Sequence, residues 1–137
     1  IGHILKNIPD DQEDIGWVQV TTPLFDSFDK CLSTWNNVKR DYDSLAVVRK
    51  VNHIISEDNT PLNFNFGYWH KVTQDLRQLY EISWSFFIIK RHVFNECKYH
   101  IGYNPYKYVS NFVNIDIDTE QEFESSKHLY IALKSEV

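Results

Sequence analysis

Residues 82–89, Ile-Ser-Trp-Ser-Phe-Phe-Ile-Ile, contain no charged side chain. A run this apolar must lie at the centre of the fold or beneath a partner. It admits two periodicities. In the first, a helix extends from Gly67 to about His100. At 100° per residue, Trp69, Val72, Leu76, Leu79, Tyr80, Phe86, Phe87, Val93, Phe94 and Cys97 then share one side. Gln74, Gln78, Glu81, Ser85, His92 and Glu96 lie opposite, and Trp84 and Ile88 fall on that polar side as exposed apolar anchors. In the second, the apolar–Ser alternation at the start of the run marks a buried strand.

Upstream, Trp17–Phe25 is β-branched and aromatic until Pro23 breaks it, and reads as a short extended segment. Asp26 to about Ser56 predicts a long helix: Asp26 and Ser27 suit its cap, and Phe28, Leu32, Trp35, Val38, Tyr42, Leu45 and Val48 keep three/four spacing. Ser56–Pro61 is loop chemistry. Trp35 and Trp69 are expected in the core. In 106–118, Val113, Ile115 and Ile117 alternate with Asn114 and Asp116, which favours a strand. Thr119-Glu120-Gln121-Glu122 matches a capping box, with Phe123, Tyr130, Leu133 and Val137 on one face of the helix that follows.

These patterns predict a mainly α fold: a bundle of two long and one or two shorter amphipathic helices, with a short extended segment near 17–25. The alternative is α+β, with strands near 17–22, 82–89 and 111–117. The 137 residues suit one globular domain over 15–137, preceded by an acidic flexible arm over 1–14 that carries Asp10, Asp11, Glu13 and Asp14. No methionine occurs, not even at the start, so the chain is expected to be a trimmed or processed piece.

A net charge of −5 disfavours a uniformly basic nucleic-acid binder, though not a local patch. No apolar run approaches the ~18 residues that span a bilayer, and no signal-peptide pattern opens the chain, so a soluble, intracellular protein is expected. Cys31 and Cys97 read as free thiols on apolar helix faces; a disulfide between two helices is the alternative.

Motifs with chemistry are scarce. His92, Glu96 and His100 make a line at four-residue steps, but a straight stripe cannot converge on one metal ion. The string Asp116, Asp118, Glu120, Glu122 starts like a calcium loop, yet Gln121 replaces the required Gly and Lys127 the closing Glu. There is no phosphate-binding Gly-rich loop, no Cys-x-x-Cys and no Gly-x-Ser-x-Gly. No metal or cofactor is therefore expected. The segment 90–108 is basic and aromatic, and Lys90, Arg91, Lys98, Tyr103 and Lys107 are its candidate phosphate or nucleic-acid contacts.

The expected function is a protein–protein interaction module without catalytic chemistry: a complex subunit, a homo-oligomer or an acidic inhibitory protein. Its partner is another protein chain, a second copy included, and no membrane is involved. Trp84 and Ile88 are the expected partner-binding residues, because aromatic and aliphatic anchors off the core face are frequent interface hot spots. The alternative is a nucleic-acid-binding module using 90–108.

Overall fold

The uncharged run is a strand. In a computed structural model that describes residues 7–9, 13–69, 71–111 and 115–135, it lies within β3, Leu79–Lys90. The other strands are β1, Asp14–Val18, β2, Ser44–Val51, and β4, Pro105–Val109. They form one mixed sheet in the order β1-β3-β2-β4. β3 is antiparallel to both neighbours, with Trp17 opposite Phe87 and Leu45 opposite Ile88, while β4 is parallel to β2, with Leu45 opposite Tyr106. β1, β2 and β4 thus run one way and β3 runs against them.

The central pair β2 and β3 is covered on both faces, which is why each carries a consecutive apolar run instead of an alternation. Ser44–Val48 and Ser85–Ile89 are all buried. Helix α1, Phe28–Val38, joins β1 to β2 and lies on one face. Its Cys31 and Trp35 pack with Phe25, Leu45, Val47, Phe86 and Ile88. On the other face, helix α2, Arg91–Cys97, sets Val93 and Phe94 over Ile15 and Ile89. Beside them, Ala46, Val48 and Phe87 pack with Trp17, Tyr80, Ile82 and Ile101.

The mainly α expectation is corrected, and α+β is the architecture. The helix expected over 26–56 ends at Val38, after which Lys39–Asp43 turns into β2. Leu45, Val48 and the residues between them satisfied a helical stripe only because a strand buried on both faces satisfies any stripe. The helix expected over 67–100 fails for the same reason: its centre is β3, and only Arg91–Cys97 is α-helical. The described residues of 52–78 are irregular apart from the 3-10 turn Thr73–Asp75 and an isolated bridge between Ile55 and Pro61. Trp35 is buried as expected, but Trp69, in that irregular segment, is 69% exposed.

Of the alternative strands, 82–89 lies inside β3, and 17–22 overlaps only the end of β1. The third is displaced to 105–109; of the expected 111–117, residues 112–114 fall outside the described ones and 115–117 form no strand. Helix α3, Glu120–Ser135, begins with the expected capping box. Thr119 Oγ1 accepts the Glu122 N–H at 3.3 Å, and a Glu122 carboxylate oxygen accepts the Thr119 N–H at 2.8 Å. The bonds from Thr119 and from the Asp118 N–H hold the Glu122 carboxyl below its ordinary pKa. Val137 lies outside the described residues, as do 1–6 and 10–12 of the expected arm. Within that arm, Asp14 already belongs to β1, and Arg91 donates to the carbonyls of Ile8 at 2.9 Å and Pro9 at 3.1 Å.

One polar node joins the start of β2 to the loop before β4. The Asp43 carboxylate accepts the N–H groups of Tyr103 and Asn104, both at 2.8 Å, and the Ser44 hydroxyl at 2.8 Å. Ser44 Oγ in turn accepts the Gly102 N–H at 2.9 Å.

Candidate functional site

The most unusual backbone in the sheet lies within the uncharged run. Ala46 faces Phe87 and Val48 faces Ile82, so while β2 advances through Val47 alone, β3 must pass Ser83–Phe86. The surplus residues form a bulge, of which only Trp84 is exposed. Trp84, in this bulge, has φ 47°, a left-handed conformation that costs an L-residue about 1–2 kcal/mol. Surrounding hydrogen bonds hold it there. Ser83 Oγ donates to the Val47 carbonyl at 3.2 Å, the Ser83 and Ser85 hydroxyls meet at 2.9 Å, and the Gln19 N–H reaches the Ser85 carbonyl at 2.9 Å.

Trp84 is 38% exposed, and its ring rests edge-on against Phe87 at 5.9 Å and His100 at 5.8 Å. His100 also stacks on Trp17 at 5.8 Å and lies 4.1 Å from the Tyr99 ring. Only 7% of His100 is exposed, and neither ring nitrogen has a hydrogen-bond partner. Burial holds its pKa below the ordinary value, which favours the neutral imidazole.

A cavity of about 210 Å³ borders the bulge, lined by Phe25, Arg49, Glu81, Ile82, Ser83, Trp84, Ser110 and Asp116. Arg49 and Glu81 face each other across β2 and β3 and pair, with Nε 3.1 Å from Oε2. Asp116 lies in the segment between β4 and α3, which is tied to the body by the Ile117 N–H on the Thr21 carbonyl at 2.9 Å. One Asp116 oxygen is shut from solvent and has no hydrogen-bond partner.

Of the two expected anchors, only Trp84 reaches the surface. Ile88 is 1% exposed and packs under α1. Its assignment to a polar helix face is corrected, because in a strand it points into the core. The basic segment is divided among several elements. Lys90 closes β3, Arg91 is engaged by Ile8 and Pro9, and Lys98 caps α2 at φ 57°. Tyr103 is 72% exposed on the Asp43 loop, and Lys107 stands over the Tyr80 ring at 5.8 Å.

The line His92, Glu96, His100 does not form, since α2 ends at Cys97 and His100 turns inward while the other two stay exposed. Among the described residues no cluster of His, Cys, Asp or Glu is arranged to hold a metal ion. Cys31 and Cys97 are free thiols in clusters on opposite faces of the sheet. No helix among the described residues is long and apolar enough to cross a membrane.

Arg49, Glu81, Ser110 and Asp116 were not anticipated as site residues. They meet only through sheet register and the return of the chain after β4. The Ser-Trp-Ser sequence in an otherwise apolar strand was the one visible signal of the bulge. No protein-family model matches the chain, and no curated protein matches it.

Proposed function

We propose that this protein is a protein-binding module whose contact surface centres on Trp84. The observation that carries the reading is a partly exposed Trp fixed at positive φ on a bulge in a central strand. Backbone strain persists only where the surroundings over-determine it, and it concentrates at functional positions. A Trp held in place beforehand binds with little loss of side-chain freedom, which suits a hot spot.

The test compares the wild-type chain with Trp84→Ala and Trp84→Gly. Each is immobilised and used to capture proteins that are then identified, while light scattering across a concentration series reads self-association. Both substitutions should strip the bound partner, or abolish a dimer if the partner is a second copy. Circular dichroism should show an intact fold. Because glycine accepts φ 47° freely, Trp84→Gly should be about 1 kcal/mol more stable than Trp84→Ala. An unchanged set of partners and an unchanged mass with either variant would refute the reading. So would loss of the fold in both, which would make Trp84 a core residue.

A further inference from the structure

The cavity beside Trp84 has an imbalance of charge. One cation, Arg49, faces two carboxylates, Glu81 and Asp116. Arg49 is already engaged by Glu81 through Nε and Nη2. Among the described residues Asp116 enters no ion pair, and one of its oxygens lacks any hydrogen-bond donor. A carboxylate left this way is costly unless a donor arrives. The remaining lining is Phe25, Ile82, Ser83, Trp84 and Ser110. Carboxylate and hydroxyl oxygens together match the chemistry of a guanidinium or ammonium group, which donates hydrogen bonds to them. At about 210 Å³ the space suits one side chain, since pockets for drug-sized ligands run from about 300 to 1,000 Å³. The chain's net charge of −5 favours approach of a basic partner.

We propose that this cavity seats a lysine or arginine side chain of the partner protein, with Asp116 as the recognising carboxylate, beside the Trp84 bulge. The proposal rests on the protein-binding reading above and names the chemistry of its partner.

The experiment titrates the isotopically labelled chain with N-acetyl-arginine amide and N-acetyl-lysine amide, with N-acetyl-leucine amide as control, and follows backbone amide shifts. A cationic probe should give saturable shifts at Ser83, Trp84 and Ser110, with a dissociation constant in the millimolar range expected of so small a ligand. Asp116→Asn preserves side-chain shape and should weaken that binding at least tenfold, whereas the leucine amide should not saturate. Absence of saturable shifts with either cationic probe would overturn the proposal, as would equal binding by Asp116→Asn or by the leucine amide. The two readings fail separately. If Trp84→Ala strips a partner but no cationic probe binds, the protein-binding reading stands and this one falls. If a cationic probe binds but no partner depends on Trp84, the cavity is a small-cation site and its assignment to a partner's side chain is overturned.

Discussion

Replacing Gly102 by alanine drives a methyl group into the Asp43 carboxylate. An ideal Cβ at position 102 lies 2.4 Å from Asp43 Oδ1, 2.7 Å from Cγ and 2.9 Å from Oδ2. The carboxylate cannot easily yield, because it holds the N–H groups of Tyr103 and Asn104 and the Ser44 hydroxyl, all at 2.8 Å. Bonds to a charged acceptor are worth about 1.5–3 kcal/mol each, less where water can substitute. Asp43 is half-buried, so Asp43→Ala should cost about 3–4 kcal/mol in total. Gly102→Ala must displace the carboxylate and break at least one of these bonds, at about 2–3 kcal/mol. The double variant has no carboxylate to strike, and should cost no more than Asp43→Ala alone. The cycle therefore predicts a coupling of about 2–3 kcal/mol in the direction that relieves destabilisation. Urea denaturation measures it as shifts in midpoint at constant m-value. Additivity of the two single costs to within about 0.5 kcal/mol would show that the loop admits the methyl elsewhere, and that the Asp43–Gly102 packing does not set its geometry.

Burial of His100 among Trp17, Trp84, Phe87 and Tyr99 gives a pH dependence with a defined sign. The unfolded imidazole takes up a proton near pH 6.5 and the folded one at a lower pH, so stability is full above about 6.5 and declines as pH falls toward the folded value. His100→Phe should remove that slope from a series of denaturation curves between pH 7.5 and 4.5, and an unchanged slope would show that His100 is solvated. The Cys31 thiol is 0% exposed and burial pushes its pKa up to about 12, so an aromatic disulfide reagent should label Cys97 first and Cys31 only at the rate of unfolding. Equal labelling rates in the native protein would contradict the packing of α1.

Local chemistry determined what could be determined locally. The capping box at Thr119–Glu122, the turn around Ser56–Pro61 and the burial of Phe86–Ile89 at the end of the uncharged run each follow from a few neighbouring side chains, and each holds in the fold. Periodicity failed where burial was two-sided. Ser44–Val48 and Ser85–Ile89 are consecutive apolar runs because a helix or loop covers each face of the sheet, and such runs fit a helical stripe as readily as a strand. Only tertiary structure distinguished them, by pairing β2 with β3 and closing both faces with α1 and α2. The same pairing turned Ile88 inward and Trp84 outward, since three surplus residues in β3 opposite Val47 had to bulge. The cavity is a product of that register. Arg49, Glu81 and Asp116 lie far apart along the chain, and nothing in the spacing of their side chains anticipates that strand pairing and the return from β4 to α3 would bring them to one place.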